Sequence, residues 1–158
     1  MRILGVDPGT ATTGIGIIEG ERNSGFKSIS YTCIKTDSKL PIEERLKLIY
    51  DSLDAIIKES KPDLISVEEL FFNSNPKTAM SVGRACGAII LCASHNNLKV
   101  VEHTPLEVKS AVVGFGHAEK IQVQKMITKL LKLSEMPKPD DAADALAIAY
   151  CAGVSLTR

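Results

Sequence analysis

The stretch RILGVDPGTATTGIGIIE, residues 2–19, decides the fold. Residues 2–7 form a short, nearly continuous apolar run, which is typical of a buried strand that ends at Asp7. The PGTAT segment that follows has the composition of a turn, and apolar residues resume in TGIGIIE. The sequence therefore predicts a buried strand, a tight turn and a second strand, with a carboxylate where the first strand ends.

Outward from this stretch, further strands and helices alternate along the chain. The segments FKSISYTCIKT, DLISVE and LKVVEH read as three more strands, and apolar residues recur at helical spacing in the segments between and after them. This order predicts an α/β fold with a five-stranded mixed sheet, three antiparallel strands followed by parallel ones, and helices on both faces. Since no repeat, low-complexity segment or linker divides the chain, residues 1–158 are expected to form a single domain.

Composition narrows the class of protein. The 19 basic and 19 acidic residues cancel, which argues against a simple polyanion binder, but residues 109–138 carry six lysines against two glutamates. This local excess fits either a solvated helix face or a nucleic-acid contact. The four cysteines lack CxxC spacing and are expected to be reduced thiols. No signal peptide or membrane helix is recognisable, so a cytoplasmic protein with no membrane contact is expected.

Four acidic residues lie at the ends of buried strands or on an apolar helix, where an unpaired carboxylate is unfavourable. Asp7 and Glu68 end the first and fourth strands, and Asp141 and Asp144 lie one turn apart at the start of the last helix. If the two strands are neighbours, all four carboxylates meet at the carboxyl edge of the sheet, where oxygen ligands suit Mg²⁺ or Mn²⁺. Two alternatives stay open on the pattern alone. Glu69 could face the site instead of Glu68, and Asp140 or Asp141 could simply cap the helix.

Four segments carry a family resemblance across nearly the whole chain: ILGVDPGTATTGIGII, VEELFF, VKSAVVGFGHAEKIQVQKMI and DDAADALAIAY. Together they closely resemble the RuvC family of bacterial Holliday-junction resolvases, which have the RNase H-like fold. The resemblance implies a structure-specific endodeoxyribonuclease that resolves Holliday junctions by paired, symmetric, metal-dependent nicks in DNA recombination and repair. It also implies that the catalytic and metal-binding acids are Asp7, Glu68, Asp141 and Asp144, with two Mg²⁺ ions per site and Mn²⁺ as a substitute.

The same resemblance implies the residues that contact DNA. Lys109 and Lys120 match the family's two functionally important lysines, and Phe71 matches its aromatic residue that stacks near the junction crossover. Phe72 joins Phe71 as a candidate because both follow a catalytic acid and precede turn residues in LFFNSNP. We therefore expect this segment to face the junction.

Expected partners are four-way junction DNA, a second copy of the chain and, by the resemblance, the RuvA–RuvB branch-migration complex. Two symmetric cuts need two active sites, and one chain carries a single set of four acids, so a C2 homodimer is predicted. The predicted contact is the small-residue helix over residues 78–96, through Met80, Gly83, Gly87 and Ile90. The alternative is that this helix is buried within its own domain.

Three other functions compete with this interpretation. An RNase H-like nuclease could act on another nucleic acid such as an RNA–DNA hybrid. The strand, D-x-G-T, strand pattern of residues 2–19 also occurs in actin-like and sugar-kinase-like ATP-binding domains, but those use two such motifs and this chain has one. A catalytically silent DNA-binding module would not need all four acids.

Overall fold

The computed structural model describes residues 1–21, 23–69 and 76–156, with only the backbone described at residues 76–78. A five-stranded sheet has the strand order β3-β2-β1-β4-β5, and helices cover both of its faces. The predicted α/β architecture is thus confirmed. The elements are β1 Arg2–Asp7, β2 Thr12–Glu21, β3 Gly25–Lys35, α1 Ile42–Ser60, β4 Leu64–Glu68, α2 Pro76–His95, β5 Lys99–His103, α3 Pro105–Val113, α4 Lys120–Leu130 and α5 Asp140–Ser155.

The sheet is mixed in the predicted way. Strands β1, β2 and β3 form an antiparallel meander, whereas β4 pairs parallel to β1 and β5 pairs parallel to β4. In this register Val6 lies opposite Val67, so β1 and β4 end side by side. The carboxyl ends of these two neighbours form the edge at which open α/β sheets bind ligands.

Strand alternation divides the core into two layers. Leu4 and Val6 point to the layer formed with α1 and α2, while Ile3 points to the layer formed with α3, α4 and α5. Because successive side chains alternate between faces, Gly5 and Asp7 lie on the same face as Ile3. The acid that ends β1 is therefore directed to the face that α5 covers.

Helix α5 lies unusually close to the sheet because glycine and alanine meet there. A Cβ atom built on Gly5 would lie 2.1 Å from the Ala145 carbonyl oxygen, and one on Gly14 would lie 2.0 Å from the Asp141 carbonyl oxygen. Ten residues of α5 are buried, six of them alanine. Any larger residue at these two glycines would push the helix away from the strands.

The turn between β1 and β2 is held by local hydrogen bonds. The Thr13 hydroxyl donates to the Gly9 carbonyl at 2.7 Å, and the hydroxyls of Thr10 and Ser81 lie 2.7 Å apart, which ties the turn to α2. A Cβ on Gly9 would lie 2.2 Å from the Thr12 carbonyl oxygen, so this tight turn needs glycine.

The four cysteines are free thiols, as the spacing predicted, and only Cys33 is not buried. Across the described ranges, no helix has the combination of length and apolar character that crossing a membrane requires.

Candidate active site

Asp7 and Glu68 come to the site from neighbouring parallel strands. Asp7 is the last residue of β1 and Glu68 is the last residue of β4. Ser66, two residues before Glu68 and on the same strand face, donates a hydrogen bond of 3.2 Å to the Ile148 carbonyl of α5. Glu68 therefore faces α5, as Asp7 does, whereas Glu69 is exposed and lies just beyond the strand.

Asp141 and Asp144 come to the site from the first turns of α5. Asp141 lies directly over Gly14, since a Cβ on that glycine would be 3.2 Å from the Asp141 Cβ. Gly14 is the register partner of Asp7 in the antiparallel pair. The close packing of the helix thus places Asp141 beside the end of β1, and Asp144 follows one turn later on the same helix face.

A cleft of about 240 Å³ opens at this edge of the sheet between α3, α4 and α5. Glu68 and Asp144 line it together with Lys109 and Lys120, so two acids and two lysines of four different elements share one cavity. A larger cavity of about 760 Å³ lies between α3 and α5 on the side of β5, and none of the four acids lines it. The smaller cleft, and not the larger cavity, therefore contains the candidate acids and lysines.

The electrostatics of the acids show that they sit in one partly dehydrated group. Burial, followed by repulsion from Asp144, Glu68 and Asp141, raises the pKa of Asp7 to about 8, and the Lys120 charge only partly opposes this shift. Burial and the Asp144 charge also raise the pKa of Glu68. Burial raises the pKa of Asp144 against the opposing effect of Lys120. The pKa values of these three acids are thus raised by burial and by mutual repulsion that the Lys120 charge only partly offsets.

Lys120 supplies the most direct positive charge. Its Nζ lies 2.7 Å from an Asp144 carboxylate oxygen and 2.7 Å from one of Asp140. Burial alone would lower the pKa of this ammonium, but the hydrogen bonds to Asp140 and Asp144 raise it instead. Lys120 is therefore a cation held between two carboxylates at the mouth of the cleft.

Capped helices fix both lysines. Lys109 lies on α3, whose N-terminus is held by a capping box in which Glu107 N–H donates to the Thr104 hydroxyl at 3.2 Å. Lys120 is the first residue of α4, which starts with a second capping box between Glu119 and Gln122. The charge of Lys109 also acts on Glu68 and lowers the pKa of that acid against the effect of burial.

The donor chemistry of this cleft fits a hard divalent cation, because its acidic ligands offer only oxygen and repel one another. In the described part of the chain, no three histidine, cysteine, aspartate or glutamate side chains are spaced so as to enclose an ion. Asp144 is instead turned to the ammonium of Lys120. The acids of the cleft thus suit a hard divalent cation by their oxygen chemistry, and the Lys120 ammonium lies where a positive charge is needed.

Asp140 lies at the start of α5 and also has a partner on another helix. Helix α5 starts at Asp140, and its N-cap residue Pro139 makes no side-chain capping hydrogen bond, whereas backbone N–H groups at the helix start donate to the Asp140 carboxylate. The Asp140 carboxylate pairs with Lys120, and this bond, more than the nearby helix backbone, lowers its pKa. The partner could not be read from the sequence because it lies on another helix.

Cys33 was also not singled out from the sequence as a neighbour of the site. It is the register partner of Gly14 in β3. Burial, followed by the charge of Asp141, raises the pKa of its thiol to about 11, which keeps it protonated. Its position could be predicted only after the β2–β3 register was known.

The predicted DNA-stacking residues Phe71 and Phe72 lie outside the described residues. The predicted dimer contact is described from Ala79 onward. Met80 and Leu91 are 64% and 52% exposed, and a Cβ on Gly87 would meet nothing within 4 Å. Gly83 and Ile90 are half-buried, and the opposite side of α2 is packed against the sheet. Helix α2 therefore presents a surface stripe at Met80, Gly87 and Leu91.

Comparisons with known proteins agree with this architecture. The family model described as crossover junction endodeoxyribonuclease RuvC matches residues 3–152. The crossover junction endodeoxyribonuclease RuvC of Caldicellulosiruptor saccharolyticus is 53% identical over 151 residues, which cover 96% of this chain and 91% of that protein. The corresponding protein of Clostridioides difficile is 51% identical over 96% of this chain and 89% of its own length.

Solved structures show the same likeness. The structure of Thermus thermophilus RuvC in complex with a Holliday junction substrate has a TM-score of 0.94 and 32% identity, over 99% of this chain and 95% of that one. The yeast mitochondrial Holliday junction resolvase Ydc2, at 13% identity and a TM-score of 0.66, shares the fold. With matches over nearly its whole length to the family model and to relatives more than half identical, this chain belongs to the RuvC family of crossover junction endodeoxyribonucleases.

Proposed function

We propose that this protein is a structure-specific endodeoxyribonuclease that resolves Holliday junctions by paired, symmetric nicking in DNA recombination and repair. The observation that carries the proposal is the group of four acids at one sheet edge, with Glu68, Asp144, Lys109 and Lys120 sharing one cleft. Support comes from the family and from the high structural similarity to a RuvC solved with a Holliday junction. Residues 1–158 are proposed to act as one nuclease domain.

Nuclease activity in this family depends on a metal. Asp7, Glu68, Asp141 and Asp144 would hold two Mg²⁺ ions, with Mn²⁺ as a substitute. When bound, such ions activate a water molecule and stabilise the leaving oxygen of a phosphodiester. The protein's own contribution is to hold the four acids in a dehydrated group. The raised pKa of Asp7 and the raised pKa of Glu68 reflect a local demand for positive charge, which favours cation binding.

The lysines of the cleft are proposed to bind the DNA backbone next to the cut. Lys109 and Lys120 border the same cavity as the acids, and capped helices hold their backbones in place. A phosphate entering this cleft would meet two ammonium groups beside the acidic group. Contacts of this kind weaken as salt rises, because binding releases counterions from the DNA.

Two further contacts belong to the proposal. Phe71 and Phe72 would stack on unpaired bases at the junction crossover, a contact worth about 1–3 kcal/mol per base. Two chains would pair through the exposed side of α2, where Met80 and Leu91 flank the open surface at Gly87. Such a homodimer carries two sites for two cuts. The RuvA–RuvB complex is the proposed partner on the junction.

The test is cleavage of a synthetic four-way junction, compared with an RNA–DNA hybrid of the same length, with Mg²⁺ and with chelator. Symmetric nicks in the junction that need Mg²⁺, with no cleavage of the hybrid, are expected. Faster cleavage of the hybrid would mean that the substrate is another nucleic acid. Equal cleavage with Mg²⁺ and with chelator would mean that the reaction does not need a metal. ATP hydrolysis measured on the same preparation checks the ATP-binding alternative.

A further inference from the structure

The ion pairs that Lys120 makes with Asp140 and Asp144 are the part of the site that the proposed reaction does not explain. Lys120 opens α4 and reaches across to α5, where one ammonium bonds Asp140 and Asp144 at equal distances of 2.7 Å. The two carboxylates differ in exposure: the Asp144 side chain is 23% exposed and that of Asp140 is 57% exposed. One cation is thus shared between an inner and an outer carboxylate.

An ammonium and a divalent cation compete for the same carboxylate oxygens. Asp144 needs a positive neighbour, because burial and the charges of Asp140 and Asp141 act against its ionised form. Lys120 meets that need in the protein without metal. A cation that binds Asp144 repels the ammonium, so the bond between Lys120 and Asp144 weakens as the metal enters.

We propose that the ammonium of Lys120 occupies the cation position at Asp144 when no metal is bound. When a divalent cation binds Asp144 and displaces this ammonium, Asp140 retains the ammonium beside the site. This inference rests on the proposed metal site. It gives Lys120 two positions, one on the inner carboxylate of Asp144 and one on the more exposed carboxylate of Asp140, from which the ammonium can also contact DNA. Asp140 is a positioning residue that acts through Lys120.

The first experiment measures competition without DNA. Mn²⁺ binding to the full-length protein is titrated by electron paramagnetic resonance of the free ion at fixed low ionic strength. Lys120→Met removes the ammonium and should tighten binding about tenfold, as expected for losing a competing hydrogen bond between charged groups. The matched control is Lys125→Met, which removes the same charge from the same helix at an exposed side chain. This control should change Mn²⁺ binding less than about twofold, because salt screens the interaction between a distant exposed charge and the site.

A double-mutant cycle locates the competition at Asp144. In the Asp144→Asn background, Lys120→Met should no longer tighten Mn²⁺ binding, because the carboxylate for which the two cations compete is gone. Equal tightening in both backgrounds would mean a general charge effect and would overturn the inference. If Lys120→Met binds Mn²⁺ no more tightly than Lys125→Met, the inference also fails while the metal site stands. If no variant binds Mn²⁺, the proposed metal site itself fails.

The second experiment tests Asp140 through single-turnover cleavage of a four-way junction. Asp140→Asn should slow cleavage about tenfold in the wild-type background and change it less than about twofold in the Lys120→Met background. Asp140→Glu should restore most of the rate, since it can still hold the ammonium. A loss of the same size in both backgrounds would show that Asp140 only stabilises the start of α5, and thermal melting of each variant records that structural effect separately.

Discussion

Replacing Asp7 with Asn should stabilise the metal-free protein at neutral pH. The pKa of Asp7 is raised to about 8 from an ordinary value of 3.8, so the folded state keeps its proton over a range in which the unfolded chain has lost it. Stability rises with pH only where the unfolded state binds more protons, and here the folded state binds more. Asp7 therefore costs stability progressively as pH rises from about 4 to about 8.

The size of the effect follows from the same shift. Each pH unit between the two pKa values corresponds to about 1.4 kcal/mol, so three units at pH 7 set an upper limit of about 4 kcal/mol. Relaxation of the site lowers this, and about 1–3 kcal/mol is the expected gain for Asp7→Asn at pH 7. The amide resembles the protonated carboxyl and does not titrate, so the two proteins should be equally stable near pH 4.

The assay is urea unfolding in chelator at pH 4.5, 6, 7 and 8. Glu59→Gln is the matched control, because it removes one carboxylate from an exposed position on α1. Its effect should be within about 0.5 kcal/mol at every pH. Adding Mg²⁺ should reverse the order, since binding stabilises the wild type more than the variant. A destabilised Asp7→Asn at pH 7, or a gain that does not depend on pH, would refute the reasoning.

Three further predictions concern the packing of α5, the charge of the cleft and the exposed side of α2. Gly14→Ala should lower cleavage about a hundredfold at a temperature where the protein is folded, because the added Cβ would sit 2.0 Å from the Asp141 carbonyl and must move the start of α5 by more than an ångström. Ile49→Val, which removes one methyl group from the opposite core layer at a cost of about 0.5–1.5 kcal/mol, should cleave normally; normal cleavage by Gly14→Ala would show that the close approach of α5 to β2 does not position the acids. Lys109→Ala should weaken junction binding and reduce the steepness of its salt dependence, as measured by fluorescence anisotropy from 50 to 200 mM salt; an unchanged slope would leave this lysine a surface residue. Leu91→Glu should give a folded monomer by light scattering if the exposed side of α2 is the contact between copies, and an unchanged mass would place that contact elsewhere.

The sequence predicted those parts of the fold that depend on local pattern. Alternation and apolar runs located β1 and β4, and the spacing of Asp141 and Asp144 placed both acids on one side of α5. The strand and helix assignments need no knowledge of distant contacts. The close approach of Gly5 and Gly14 to the alanine-rich α5 does need it, although only small residues allow such an approach.

Features that depend on contacts between distant segments could not be predicted in this way. Alternation gives two faces but not which one α5 covers, so the pattern alone left Glu68 and Glu69 open. The family resemblance selected Glu68, and the contact of Ser66 with Ile148 shows which strand face α5 covers. The ion pairs of Lys120 join two helices separated by residues 131–139, and no local pattern encodes them. The sequence therefore offered a role for Asp140 at the helix start but not its second partner, Lys120, across the cleft.

The most direct test of the central claim is the single-turnover rate at which Asp7→Asn cleaves a four-way junction in Mg²⁺, measured with its junction affinity. The account predicts a rate at least about a thousandfold below wild type, as expected when metal-assisted charge stabilisation worth several kcal/mol is lost. The dissociation constant for the junction should stay within about threefold, since the lysines and the fold are intact. A variant that binds the junction and cleaves it at the wild-type rate would contradict the assignment of the four acids as the catalytic centre.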